Sequence, residues 1–289
     1  MAAMVPPSQQ TKLILLGTKG GPRVTAGRAN PANVMMIAGE PWVVDCGYGV
    51  TRQLIAAGIE PGRVRKIMIT HHHSDHILEL GPLIYNIWAA GLREPVDVWG
   101  PPPLRQIVET FLQSMSYDIG IRIDDEGRAD LRKLVRLHEF EAHGRMLETD
   151  AVKVSAINVI HPPLPHAYAY RFDAPDRSIV LSGDTAVCRD LIAFAQGADV
   201  LLHEVMHLAG IDRIVARTPG AARLREHLLA AHTTTTEVGK VAAAAAVGTL
   251  VLNHLVPGDD PSITDEMWRG DAAADFAGDV MVGRDLQVI

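Results

Sequence analysis

Cysteine is nearly absent from this chain: Cys46 and Cys188 are the only two in 289 residues. That is too few for a disulfide framework and fits a reducing, cytoplasmic setting. No apolar run is long enough to cross a bilayer, so no membrane partner is expected. Residues 1–10 hold prolines and glutamines but neither a basic n-region nor an apolar h-region, and read as a flexible tail rather than a signal peptide. Positive charge is also short, with 27 Lys and Arg against 34 Asp and Glu, a net charge of −7. Neutralising phosphates takes a basic surface, so this balance argues against a nucleic-acid partner. What is present in quantity is apolar side chain, 47% of the sequence, enough for a sizeable core. No Gly- or Ser-rich linker divides the chain, and residues 11–289 read as one domain.

Short β-rich runs alternate with Ala- and Leu-rich helical runs, the pattern of a layered α/β protein. Lys12 to Leu16 reads as a strand, and Asn33 to Ile37 with Trp42 to Asp45 as a hairpin turning at Gly39-Glu40-Pro41. Lys66 to Thr70 reads as a buried strand. In the second half, Val152 to Ile160, Ala167 to Phe172, Ser178 to Ser182, Val200 to His203 and Leu250 to Asn253 read the same way. Both halves run strands first and helices after. Two sheets face to face between helices, an αββα sandwich, accommodates all of these elements.

The chemistry concentrates in Thr70-His71-His72-His73-Ser74-Asp75-His76, directly behind the apolar Ile67-Met68-Ile69. Imidazole and carboxylate are the usual ligands of zinc and related divalent ions. A turn leaving a strand can aim alternate side chains at one point, so His71 and His73 can share one ion while Asp75 and His76 face a second. Three more ligand types sit at strand ends: His161, Asp184 in Ser182-Gly183-Asp184-Thr185, and His254. Singly, they read as a turn histidine, a cap and a core imidazole. Together at strand ends, where α/β proteins gather their sites, they complete a two-ion constellation.

The pattern His-x-His-x-Asp-His, met by His71, His73, Asp75 and His76, resembles the metallo-β-lactamase-fold hydrolases. Gly17-Thr18 with Arg28 and Asn30, Asp45-Cys46-Gly47, Ser182-Gly183-Asp184-Thr185, His203-Glu204, His232-Thr233-Thr234 and Asn253-His254 resemble landmarks of one subgroup. That subgroup holds ribonuclease Z and the arylsulfatase- and phosphodiesterase-like enzymes. The resemblance implies that His71, His73 and His161 hold one metal, that Asp75, His76 and His254 hold the other, and that Asp184 bridges them. The ions are expected to be zinc, with manganese or iron as alternatives, since the set lacks a thiolate. It further implies hydrolysis by a hydroxide held between the ions, with Asp75 assisting and His232, oriented by Glu204, protonating the leaving group. His72 is expected to pack rather than ligate, and His166 to line the pocket mouth.

A small ester, a phosphodiester or aryl sulfate, is the expected substrate. Ribonuclease Z-like RNA 3′-end processing and lactone or β-lactam hydrolysis are the alternatives. RNA is placed second because Tyr170 to Ser182 is too short for the tRNA-gripping arm of that family. Residues 112–137 and 205–228 are expected as lids. The second carries Arg213, Arg217, Arg223 and Arg225, any of which reaching inward would favour an anionic ester. Pairing into a homodimer is expected by the same resemblance.

Overall fold

The computed structural model describes residues 9–289; most of the tail expected over residues 1–10 lies outside the described residues. The chain builds two sheets. The first takes β1 (Lys12–Gly17), β2 (Ala32–Ile37), β3 (Glu40–Val44), β4 (Lys66–Met68), β5 (Val96–Gly100) and β6 (Val135–Glu139), in that spatial order. The second takes β7 (His143–Glu148), β8 (Lys153–Asn158), β9 (Tyr168–Asp173), β10 (Ser178–Leu181), β11 (Val200–Met206), β12 (Thr249–Val256) and β13 (Asp279–Val282). Both open antiparallel and finish parallel, with β3–β6 and β10–β13 the parallel runs. Antiparallel neighbours need only short turns, whereas parallel ones need crossovers, which the helices supply.

The first half contributes α1 (Val50–Ala56), α2 (Ser74–Ile77), α3 (Leu80–Ala89), α4 (Leu104–Ser114), α5 (Ser116–Glu126) and α6 (Leu131–Leu134). The second contributes α7 (Arg189–Phe194), α8 (Leu208–Ala216), α9 (Leu224–Ala231), α10 (Thr235–Ala244) and α11 (Asp265–Ala273). Alternation along the strands sorts the core into layers. Leu13, Leu15 and Met35 face Tyr170, Phe172 and Leu202 between the sheets. Leu16, Val34 and Ile67 face outward onto Leu54, Leu83 and Ile87, while Val180, Leu201 and Leu250 face Leu191, Val241 and Trp268. The four layers are the αββα sandwich read from the sequence.

Two local expectations are corrected. The β2–β3 turn is Ala38-Gly39, both at positive φ (49° and 80°), and not Gly39-Glu40-Pro41. A two-residue turn of this hand matches strand twist, and it leaves Pro41 inside β3 opposite Met36. Residues 112–137 do not line the cleft described below. Ile119 and Leu131 are buried in the first-half core instead, and Trp88 Nε1 donates to the Ala129 carbonyl at 2.8 Å. Beyond them β6 and β7 extend the sheets as polar edge strands.

Candidate metal centre and active site

The histidine tract follows β4, and the turn that carries it is fixed by a carboxylate from the neighbouring strand. Asp45, just past β3, sits at φ +65°, a conformation aspartate tolerates better than most side chains. Its carboxylate accepts from Thr70 N at 2.8 Å, from Thr70 Oγ1 at 2.9 Å and from His76 Nδ1 at 2.8 Å. Thr70 gives its only hydroxyl proton to Asp45, so His71 Nδ1, 3.0 Å away, must donate to Thr70 Oγ1. His161 Nδ1 likewise donates to the Ala231 carbonyl at 2.9 Å. Thr70 and the Ala231 carbonyl thereby direct the bare Nε2 lone pairs of His71 and His161 inward, the arrangement typical of metal-binding histidines.

The other side chains converge from the second sheet. His161 lies between β8 and β9, with Nε2 3.0 Å from His73 Nδ1. Asp184 leaves β10 through Gly183, where a Cβ would meet the Tyr168 carbonyl at 2.5 Å. His254 is the extra residue of a bulge in β12: Glu204 pairs with Asn253 and Val205 with Leu255. Its φ of +44° is costly for a residue other than glycine. The bulge brings His254 Nε2 to 3.1 Å from Asp184 Oδ2 and 3.4 Å from Asp75 Oδ2. Asp184 Oδ1 lies 3.4 Å from His76 Nε2, and its Oδ2 lies 3.8 Å from the Nε2 atoms of both His71 and His161.

Three groups of ligand-type atoms result, each within 4.8 Å: His71, His73, His161 and Asp184 in one, Asp75, His76 and His254 in a second, and Asp184, His232 and His254 in a third. All seven positions named from the sequence meet here. The set fits divalent cations on its own chemistry. His71 Nε2, His76 Nε2 and Asp184 Oδ1 are buried without a hydrogen-bond partner, a rare condition for polar atoms. Burial pushes His71 well down and His73 to about 4, with neighbouring imidazoles adding to it. At His76 and His254 burial pulls the same way but is outweighed. Asp184, Asp45 and Asp75 raise His76, and Asp184 and Asp75 raise His254 to about 10. Asp75 and Asp184 are held far below the carboxylate range, against burial, by His76 and His254. This excess of buried negative charge is what a cation would balance.

Beside this centre, His232 Nδ1 donates to Glu204 Oε1 at 3.1 Å, an oxygen that also accepts from Thr185 N and Thr233 N. Burial lowers His232, but Glu204 outweighs it and the net shift is upward. His232 is pinned between α9 and α10 because Thr234 and Glu237 form a reciprocal capping box at the start of α10. A cleft of about 270 Å³ opens over the centre, lined by His73, Asp75 and His232 and by Leu224, His227 and Leu228 of α9.

Of residues 205–228, Leu224, His227 and Leu228 border the cleft, and none of the segment's arginines lines it. Arg213 pairs with Asp260, Arg217 with Asp259 and Arg225 with Asp212, and Arg223 is exposed. His72 packs as expected, its Nε2 2.7 Å from the Pro101 carbonyl. His166 lies against Tyr168, ring centres 6.3 Å apart, and does not line the cleft. Sequence reasoning took Asp45 only as a landmark, although a carboxylate ending the apolar run Trp42-Val43-Val44 is itself a signal. It missed His227 and the Ala231 carbonyl, which no motif marks.

A family model described as Anti-Pycsar protein Apyc1 matches residues 11–215. A protein named Ribonuclease Z from Mycobacterium bovis (strain BCG) is 33% identical over 278 residues, 95% of this chain and 96% of that one. The chain belongs to the ribonuclease Z-like family of metallo-β-lactamase-fold hydrolases. Among solved structures, the metallo-β-lactamase-fold protein YhfI of Bacillus subtilis superposes with a TM-score of 0.72 at 21% identity, over 96% of this chain and 98% of its own. Human tRNase Z, short form, gives 0.71 at 21% identity, with the same coverages.

Family membership changes one earlier inference. The β9–β10 hairpin is indeed short, closing with Ala174 N on the Arg177 carbonyl at 3.0 Å. Yet the Mycobacterium bovis ribonuclease Z-like relative aligns through 96% of its own length, which leaves no room for an arm that this chain lacks. The hairpin does not separate this chain from ribonuclease Z-like proteins, and the expectation against nucleic acid loses its main support. No helix among the described residues is long and apolar enough to cross a membrane.

Proposed function

We propose that this protein is a divalent-metal phosphodiesterase acting on ribonucleotide phosphodiesters, with RNA 3′ ends as the leading substrate. The observation that carries it is the convergence of six imidazole and carboxylate groups around Asp184, with the His232–Glu204 pair alongside. Relatives named Ribonuclease Z that match almost end to end support the RNA reading over an aryl sulfate. A second reading, a small phosphodiester, draws on the limited cleft and on the arginines committed to outward ion pairs.

His71, His73 and His161 would hold one ion, Asp75, His76 and His254 the other, and Asp184 both; zinc suits this donor set, as do manganese and iron. When bound, the pair supplies Lewis acidity to the phosphoryl group and makes the attacking water more acidic. The chain's own groups supply the rest. Asp45, Thr70 and the Ala231 carbonyl keep the ligand imidazoles in one tautomer. Gly21 N donates to Asp75 Oδ2 at 2.8 Å, fixing that carboxylate. His232 keeps its Nδ1 proton on Glu204, which leaves Nε2 to deliver a proton to the departing oxygen.

The test is a panel of 3′-extended RNA, a bis-aryl phosphate, an aryl sulfate, a lactone and a cephalosporin, each with zinc, manganese or iron. Phosphodiester turnover abolished by chelator is expected, together with close to two metal equivalents per chain. Turnover of the sulfate or lactone without any phosphodiester would overturn the proposal.

A further inference from the structure

Helix α9 brings Leu224, His227 and Leu228 to the cleft at spacing i, i+3 and i+4, one face of the helix. Leu228 is buried with Met206, Ile211 and Val256, which fixes the rotation of that helix. His227 is thereby turned towards the centre, its ring 6.1 Å from that of His232 and 6.3 Å from those of His73 and His161. The other three rings are committed: His161 to Ala231, His232 to Glu204, and His73 to the group around Asp184. The backbone N–H of His227 goes to the Arg223 carbonyl at 3.0 Å, but its ring has no hydrogen-bond partner among the described residues. A lone polar group in an otherwise apolar wall is how binding clefts fix ligand orientation. Here that wall is Leu224, Leu228 and Val256.

We infer that His227 is a specificity-determining residue that hydrogen-bonds the ribose hydroxyl beside the scissile phosphate, while Leu224, Leu228 and Val256 seat the flat base. The inference rests on the phosphodiester reading above. The imidazole and carboxylate cluster is where the phosphoryl oxygens belong, so the organic half of the ester is what the α9 side chains beside it can meet. A hydroxyl next to the phosphate is the group that separates ribonucleotides from deoxyribonucleotides.

The experiment compares an RNA dinucleotide with its 2′-deoxy counterpart on the metal-loaded protein, using wild type, His227→Ala and His227→Asn. Wild type should prefer the ribo substrate by roughly tenfold in kcat/KM, the size of one net hydrogen bond. His227→Ala should raise KM for the ribo substrate by about as much, affect the deoxy substrate less, erase the preference and retain both metals. His227→Asn, still a donor, should keep part of the preference. An unchanged ribo-to-deoxy ratio in metal-replete His227→Ala overturns the inference and leaves the phosphodiester reading standing. If wild type cleaves neither dinucleotide nor any ester of the panel, the phosphodiester reading fails first and this one with it.

Discussion

At the scale of single residues, the outer partners of the imidazoles set the behaviour of the centre. Asp45→Asn keeps shape and tolerance of positive φ but removes the charge behind His76. Loss of such a partner costs about 10–100-fold in metal affinity, which competition against a chelator would measure; an unchanged affinity would show that His76 needs no orienting group. Glu204→Gln makes a second test. Glu204 is what raises His232 against the pull of burial, and His232 is proposed to act in its protonated form. The alkaline limb of kcat/KM should therefore move to lower pH in the variant, and a limb that stays put would separate the two residues. His71, His73, Asp75 and His76 were legible in the sequence because they crowd into one short tract that follows an apolar strand. Asp45 was not, since its role depends on β3 lying beside β4. His254 looked like a simple strand end, and only the bulge shows how its ring turns inward.

At the scale of elements, the α8–α9 pair is the least anchored part of the site. It rests on a small apolar cluster of Met206, Ile211, Leu228 and Val256, apart from the main cores, and is tied to the loop after β12 by Arg213–Asp260 and Arg217–Asp259. Ser262 and Arg213 hold the Asp260 carboxyl at about 2 against the opposing pull of burial. Its folded value lies below the unfolded one, so this tie is complete above about pH 4 and is lost as pH falls towards 2. At neutral pH, Asp260→Asn should speed amide exchange in α8 and leave β11 unchanged; equal protection in both proteins would count against the tie. The cleft-bordering position of this segment followed from its place between Glu204 and His232. The placement of residues 112–137 did not, because the apolar spacing of Ile119 and Leu131 does not say which surface they cover. The edge strands β6 and β7 escaped notice for a related reason: their exposed, charged faces hide the period-two pattern.

At the scale of the whole molecule, the layered sandwich was readable because both sheets are covered on both faces, so their strands run nearly continuously apolar. The pairing order was not readable, since hydrophobicity alone does not choose neighbours. The buried charges predict how stability depends on pH and metal together. In metal-stripped protein the carboxylates of Asp184 and Asp75 overcome burial and raise His254 to about 10. That contribution is fully present below the ordinary histidine value and fades as pH rises towards 10. Metal binding needs deprotonated imidazoles and strengthens over the same range. The difference in Tm between metal-loaded and chelator-treated protein should therefore widen from pH 6.5 to 9; a constant gap would contradict the assignment of His254.

The chain passes between sheets at residues 140–142, and its last residues return to pair with β1, Ile289 N on the Leu13 carbonyl at 2.8 Å. Two of the ligand groups mix donors from both halves, with His161, Asp184 and His254 meeting the tract that follows β4. An ion seated there acts as a rivet through the sandwich. Cut the backbone at the 140–142 crossover, and the two fragments should stay clasped with the cation in place and part at lower denaturant once it is withdrawn.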